Sequence, residues 1–222
     1  MPAAKNLALA GDVAADALLT RDPLALLIGM VLDQQIPLEW AFKGPYVLSE
    51  RLGAPLDASE IAEMDPEVLA KAFSERPALH RYPGSMAKRV QELCRHIVDH
   101  HAGDPGRVWK GVRAGDQLYR NIRDLPGFGD QKARIFVALL GKQLRVQPPG
   151  WQEAAGDYGK PGTFMSVADI VNPETLLKVR SYKQEKKAAA MAAVKPKPKA
   201  KAKGGAKGGA RGADPGTTAP SP

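Results

Sequence analysis

The segment from 125 to 133 has the residue types best suited to hold a phosphate. It reads Leu-Pro-Gly-Phe-Gly-Asp-Gln-Lys-Ala and precedes an apolar stretch. Glycine tolerates positive φ and close backbone approach, so two glycines around Phe128 predict a tight turn between helices, with Phe128 in the core. The first N–H groups of the second helix would then face outward, where partial positive charge favours an anion, and Asp130 is expected to cap that helix. The same pattern also occurs in purely structural corners.

The elements that position this segment are predicted to be helices almost throughout, which makes the fold class all-α. Asp22-Pro23 is typical of a helix start, and an apolar run follows to position 32. Pro45 suits the first position of a helix that ends before Gly53. A long amphipathic helix is expected over 85–101, with Cys94 on its apolar face, and no useful alternating stretch predicts a sheet.

Three segments of this chain resemble the HhH-GPD superfamily of DNA glycosylases. The 125–133 segment is similar to the family's helix-hairpin-helix element at six fixed positions, Val31-Leu32-Asp33-Gln34-Gln35 resembles a second family segment, and 82–89 resembles a third more weakly. The resemblance covers about residues 22–146 and implies a two-lobed helical domain that binds double-stranded DNA. The DNA-binding residues expected from it and from the turn chemistry are Gln34, Gln35, Gly127, Phe128, Gly129, Gln131 and Lys132.

In the family, a glutamine like Gln34 or Gln35 fills the gap that a base leaves when it is turned out of the duplex. An amide suits that task because it hydrogen-bonds the unpaired partner base while its stem enters the stack. Two polar residues at a helix end are the simpler interpretation of the same pair. The family also often binds a monovalent cation at hairpin carbonyls, which here implies Leu125 and Phe128.

The catalytic carboxylate is harder to identify, because Gln147 stands where the resemblance implies an aspartate. The nearest carboxylates after it are Glu153 and Asp157, which we take as the catalytic candidates. A carboxylate at that place would stabilise positive charge on the sugar. Asp33, beside the glutamines, is a weaker candidate. Trp151 and Tyr158 are suited to stack on a base or to pack at the edge of the core.

A lysine nucleophile is not expected, because Gln131 occupies the position that carries lysine in bifunctional relatives. Lys132 is one residue later, and one residue on a helix is a rotation of about 100°. With one cysteine in the chain, a four-cysteine iron–sulfur cluster is excluded. No cofactor is expected, and no metal site made of side chains, since His96 and His100 lie one helical turn apart without a third ligand.

The charge of the chain is concentrated at its C-terminal end. The net charge is +8, and residues 195–222 contribute six lysines and Arg211 against Asp214, or +6. This Lys-, Pro-, Ala- and Gly-rich tail predicts disorder and a non-specific nucleic-acid arm, or alternatively a solubilising tail. We therefore divide the chain into a helical domain, residues 1–194, and the tail.

The remaining composition indicates a soluble cytoplasmic protein, associated with the nucleoid if it is bacterial. No apolar run approaches the ~20 residues of a membrane span, and acidic residues near the N-terminus argue against a signal peptide. We expect a monomer. The most consistent function is that of a divergent monofunctional DNA glycosylase that hydrolyses the N-glycosidic bond of a damaged base. The alternative is a non-catalytic helix-hairpin-helix protein that recognises damaged or bent DNA.

Overall fold

The computed structural model describes residues 6–193, and within that range it is all-helical, without strands. The prediction that 195–222 is disordered falls outside the described residues. The α-helices are α1 (Val13–Arg21), α2 (Pro23–Leu32), α3 (Leu38–Leu52), α4 (Ala58–Glu63), α5 (Pro66–Ser74), α6 (Pro83–His101), α7 (Gly115–Arg123), α8 (Asp130–Gln143), α9 (Trp151–Ala155) and α10 (Pro173–Ala193). Short 3-10 helices cover Pro105–Val108, Gly156–Gly159 and Val167–Asp169.

Four of the first five α-helices have an aspartate as N-cap residue, and the start at Asp22-Pro23 is the one predicted above. The carboxylate of Asp22 accepts hydrogen bonds from the N–H groups of Leu24 and Ala25, at 2.8 and 3.2 Å. Asp12, Asp57 and Asp65 cap α1, α4 and α5 in the same way. A side-chain oxygen at this position satisfies N–H groups that have no partner inside the helix, so the starts are determined locally.

The predicted start of α3 at Pro45 is wrong. The helix begins at Leu38, after Pro37, and Pro45 lies inside it. Proline in a helix interior removes one backbone hydrogen bond, a loss that tertiary packing offsets here, because Ala41, Phe42 and Leu48 of the same helix are fully buried. Burial of one face therefore outweighs the local preference of proline for a helix start.

The helices form two lobes that share one hydrophobic core. In the first lobe α3 packs on α1 and α2, and α6 packs on α4 and α5. In the second lobe α8 packs on α7, on α9 and on the last two 3-10 helices. Cys94 belongs to the core, as predicted, and its burial raises the pKa of the thiol to about 12.

Helix α10 runs from the second lobe towards the first. Its residue Val179 is buried, and Arg180 forms an ion pair with Glu39 of α3. No helix among residues 6–193 combines the length and apolar character that crossing a membrane requires.

Candidate nucleic-acid interface and its cavity

A cavity of about 380 Å³ opens between the end of α2, the start of α8 and the side of α10. We call it the central cavity. Its lining contains most of the polar residues singled out from the sequence, joined by apolar side chains from both lobes. The lining residues are Met30, Asp33, Gln34, Gln35, Ile36, Gln131, Lys132, Ile135, Tyr158, Met165, Ser166, Val167, Tyr182, Lys183 and Lys186.

One wall of the central cavity is the start of α8, which follows a tight turn that we call the hairpin corner (residues 125–129). The N–H of Phe128 donates to the carbonyl of Leu125 at 3.1 Å, and Gly127 adopts a φ of +88°. Phe128 is only 6% exposed and packs edge-to-face on Phe136, with the ring centroids 5.6 Å apart. The aromatic side chain therefore anchors the corner in the core, as expected, and it is not itself available for contact with DNA.

The first turn of α8 carries no side-chain cap, contrary to the role expected for Asp130. Gly129 is the N-cap residue, and the carboxylate of Asp130 instead accepts hydrogen bonds from Tyr119 and Arg134. Tyr119 and then Arg134 hold the pKa of this carboxyl below its usual range. Because Gly129 and Asp130 are exposed, the first N–H groups of α8 face the solvent. The corner thus has the exposed geometry that contact with a phosphate requires.

Lys132 lies in the cavity wall, with its ammonium bound to the end of α2. Its Nζ donates to the carbonyl of Met30 at 2.6 Å and to that of Val31 at 3.2 Å. Burial lowers the pKa of the amine to about 8, against an opposing effect of Asp33. The preceding residue, Gln131, is exposed and donates to the hydroxyl of Tyr158 at 2.8 Å. Lys132 therefore links α8 of the second lobe to α2 of the first lobe at the wall of the cavity.

The opposite wall is a turn after α2 that we call the glutamine turn (residues 33–36). The two glutamines differ. The amide of Gln34 donates to the carbonyl of Val31 at 3.1 Å and to the sulfur of Met86 at 3.2 Å, so it is used inside the protein. Gln35 is exposed, and its backbone has a φ of +57°, a value that residues other than glycine rarely adopt. Of the two glutamines, only Gln35 has an exposed side chain, and its role in DNA binding stays a prediction.

The glutamine turn is held by residues far away in the sequence. The Nε2 of His80 lies 2.7 Å from the carbonyl of Gln34, and the Nδ1 of His80 accepts the N–H of Tyr82 at 3.0 Å. An Nδ1 that accepts leaves the proton on Nε2, which donates to Gln34. Trp40 of α3 donates from Nε1 to the carbonyl of Ala78 at 3.0 Å and so fixes the segment that precedes His80. His80 is 3% exposed, and no motif in the sequence marks it as part of the site.

Asp33 is the only carboxylate that lines the central cavity among the residues the structure describes. Burial raises the pKa of this carboxyl, while Lys183 and Lys132 act in the opposite direction. No hydrogen bond or ion pair within the described range occupies its side chain. An acid that is half-buried, unengaged and beside a cavity has the environment of a functional group.

The two predicted catalytic carboxylates, Asp157 and Glu153, lie in a neighbouring cavity of about 670 Å³. Asp157 is exposed and forms an ion pair with Lys160 at 2.6 Å, which lowers the pKa of the carboxyl. Tyr158, Met165 and Lys186 line both cavities, so the two are adjacent. The structure does not bring Asp157 or Glu153 beside Gln34 and Lys132, and their catalytic role stays a prediction.

Three further sequence candidates have clear positions. Trp151 packs on the backbone of α8 at Gly141, where an added Cβ would meet its ring at 2.3 Å, so it belongs to the edge of the core. Gln147 donates to the carbonyl of Gly141 at 2.8 Å and serves the end of α8. Tyr158 lines the central cavity and remains suited to stack on a base.

Metal binding finds limited support in the described part of the chain. No group of three or more His, Cys, Asp or Glu side chains in residues 6–193 is placed to hold a metal ion. The carbonyl of Leu125 already accepts one hydrogen bond in the corner, which leaves a second lone pair for a monovalent cation. Cation binding there stays a prediction.

Comparison with known proteins identifies one family by its model. A model described as "HhH-GPD superfamily base excision DNA repair protein" matches residues 28–199. A structure of endonuclease III trapped as a covalent intermediate with DNA is 21% identical, with a TM-score of 0.40, over 72% of this chain and 66% of that one. A thermostable thymine-DNA glycosylase is 15% identical, with a TM-score of 0.37, over 81% and 78%. The curated proteins include no match.

Proposed function

The chain belongs to the HhH-GPD superfamily of base excision DNA repair proteins, and from that premise we propose that it is a monofunctional DNA glycosylase whose central cavity receives a damaged base. The observation that carries the proposal is the position of the Asp33 carboxylate in a cavity flanked by the hairpin corner and the glutamine turn. Its volume of about 380 Å³ falls at the small end of the ~300–1,000 Å³ typical of ligand sites, as suits a single base.

The surroundings of the cavity divide the work of such an enzyme. The exposed N–H groups at the start of α8 would hold the strand, and Gln35 would occupy the space left in the duplex. Asp33 would stabilise the positive charge that develops on the sugar as the N-glycosidic bond breaks. Met30, Ile36 and Tyr158 supply apolar and aromatic surface for the base.

The monofunctional assignment depends on Lys132. A lyase needs a free amine to attack the sugar, whereas the Lys132 amine is engaged by two carbonyls at the end of α2. Burial lowers the pKa of this amine to about 8, which by itself favours the free amine, so the assignment rests on the two carbonyl contacts that hold the amine and not on its protonation. Base release without strand cleavage is the expected outcome.

The non-catalytic alternative is favoured by Gln147, which takes the place of the aspartate that the family resemblance implies. Its amide donates to the carbonyl of Gly141 and supplies no negative charge. In that case the protein would bind damaged or bent DNA through the same corner and turn, and Asp33 would have no effect on any base.

The test is base release from duplexes that carry uracil, hypoxanthine, alkylated or oxidised bases, followed by alkali cleavage of the abasic product. We expect one class to react, with Asp33→Asn lowering the rate by about 10²–10³-fold while duplex binding is retained. Asp157→Asn and Glu153→Gln are the matched variants, and a comparable loss there would assign the carboxylate to the neighbouring cavity. Strand cleavage without alkali, or a borohydride-trapped adduct, would contradict the monofunctional mechanism. Binding without any base release would establish the alternative.

A further inference from the structure

Helix α10 is anchored at its beginning and leaves the body of the protein at the central cavity. Val179 is 1% exposed and Arg180 pairs with Glu39, so the first half of the helix is fixed. From 183 to 191 the side chains are exposed. The second half of α10 therefore projects past the cavity with a free surface on most of its sides.

Two lysines of that projecting half line the central cavity. Lys183 also borders a groove beside Pro37 and Glu39, and Lys186 also borders the neighbouring cavity, where Lys160 lies. Neither ammonium takes part in an ion pair within the described residues, whereas Lys178 of the same helix is neutralised by Glu174 at 2.6 Å. Lys183 and Lys186 thus place two cations without an ion pair at the opening through which a base would enter.

We propose that Lys183 and Lys186 bind the two phosphates that flank the nucleotide inserted into the central cavity. The proposal rests on the proposed function, because a base in the cavity places its own sugar and phosphates at the opening. Residues three apart on a helix have their Cβ atoms about 5–6 Å apart, and long lysine side chains can extend that spacing to consecutive phosphates of one strand. Lysine suits this role because its ammonium is a flexible point charge that needs no fixed geometry.

This interaction would differ from the one at the hairpin corner. The corner offers backbone N–H groups of α8, while α10 offers side-chain charge from the other side of the cavity. The strand would therefore be held on both sides of the inserted nucleotide. The lysines should consequently matter more for DNA with a displaced nucleotide than for an intact duplex.

The test measures binding by fluorescence anisotropy across a salt series, with a duplex that contains a tetrahydrofuran abasic analogue. Lys183→Ala/Lys186→Ala should weaken binding, and its salt slope should fall by about 0.9 for each phosphate that the variant no longer neutralises. The control Lys71→Ala/Lys187→Ala removes the same charge from exposed lysines that have no ion pair within the described residues and do not line the cavity. It should leave the slope close to that of the unchanged protein.

A second arm identifies the phosphates. Uncharged methylphosphonates replace the two phosphates that flank the analogue, in the same duplex. The unchanged protein should lose affinity, and Lys183→Ala/Lys186→Ala should lose little more, because both changes remove the same interaction. Independent losses from the protein and DNA changes, or equal losses for the two lysine pairs, would overturn the proposal. The abasic analogue has no base to release, so this binding test is separate from the base-release test. A lack of base release would not contradict the phosphate interaction. Independent losses of affinity from the lysine and methylphosphonate changes would not contradict the glycosylase activity.

Discussion

The two turns that flank the central cavity are built in different ways. The hairpin corner is made of consecutive residues. Its conformation follows from the positive φ of Gly127, from the hydrogen bond between the N–H of Phe128 and the carbonyl of Leu125, and from the packing of Phe128 in the core. The glutamine turn combines local and distant support: the N–H and the side-chain amide of Gln34 donate to Leu32 and Val31 at the end of α2, at 2.7 and 3.1 Å. Its carbonyl at Gln34 is bonded by His80, which lies 46 residues away in the sequence.

This difference explains why the hairpin corner is recognisable in the sequence and the glutamine turn only in part. A corner whose geometry is local leaves a compact motif, whereas a turn held in part from a distance leaves only its own two glutamines. Substitutions in the two turns should therefore have different structural consequences. A change in the corner acts on a single bend, while a change at His80 acts on the turn and on the start of α6 together.

The largest expected effect is on the glutamine turn. His80→Asn retains a short acceptor for the N–H of Tyr82 but removes the donor to Gln34, and a buried polar group left without a partner costs about 1–3 kcal/mol. His80→Gln can place its amide nitrogen where Nε2 lies and should retain more stability and more affinity for the abasic-analogue duplex. Urea denaturation measures the stability of each variant, and fluorescence anisotropy measures its affinity for the duplex. A larger loss for His80→Gln than for His80→Asn would show that the hydrogen bond to Tyr82, and not the one to Gln34, supports the turn.

Next in size is a change that strains the corner. Gly127→Ala forces alanine into positive φ, and the new Cβ would meet Arg89 Cδ at 3.1 Å and Val31 Cγ2 at 3.3 Å. A positive φ costs a non-glycine residue roughly 1–2 kcal/mol, so the free energy of unfolding should fall by about that amount. A urea midpoint equal to that of the unchanged protein would mean that the corner does not depend on this glycine.

Gly129→Ala separates binding from stability in the same corner. Its backbone is extended, and an added Cβ finds nothing within 4 Å, so the urea midpoint should stay nearly unchanged. If a strand approaches the first N–H groups of α8, the methyl group stands in its way, and duplex affinity should fall roughly tenfold, or about 1.4 kcal/mol. Unaltered affinity would place the strand elsewhere.

A pH dependence of stability is expected from Lys132, whose amine bonds the end of α2 from the start of α8. Its pKa is about 8 in the folded protein against 10.5 for a free lysine, so between these values the unfolded chain holds more protons. Stability relative to Lys132→Met should therefore be constant below pH 8 and rise between about pH 8 and 10.5. Paired thermal melts at pH 7 and pH 10 measure the difference. A difference that shrinks at high pH would contradict the burial of this amine.

Much of the fold could be predicted because its signals are local. The Asp-Pro pairs at 22–23 and 65–66 mark the starts of α2 and α5, and the glycines mark the corner. The failure at Pro45 has the opposite origin, since burial of α3 overrides a local preference. Gly129 and not Asp130 is the N-cap residue of α8, because Tyr119 and Arg134 donate hydrogen bonds to the Asp130 carboxylate.

The site was less predictable, because proximity in it arises between distant segments. Asp33 was visible beside the glutamines, but the cavity that gives it a role also needs α8 and α10. Asp157 and Glu153 were selected by distance along the chain, and the fold directs them to the adjacent cavity instead. Lys132 was expected to bind DNA near the start of α8, but its amine bonds two carbonyls at the end of α2 instead, a contact that only the fold brings about.

The backbone of Gln35 imposes a filter on natural and laboratory variation. At a φ of +57°, valine, isoleucine and threonine are strongly disfavoured, while glycine and asparagine are tolerated. A saturation library at this codon, sorted first for expression and then for lesion capture, would therefore report two different requirements. Glycine should be retained in the first sort and depleted in the second, because it can adopt the positive φ but has no side chain to insert into the duplex.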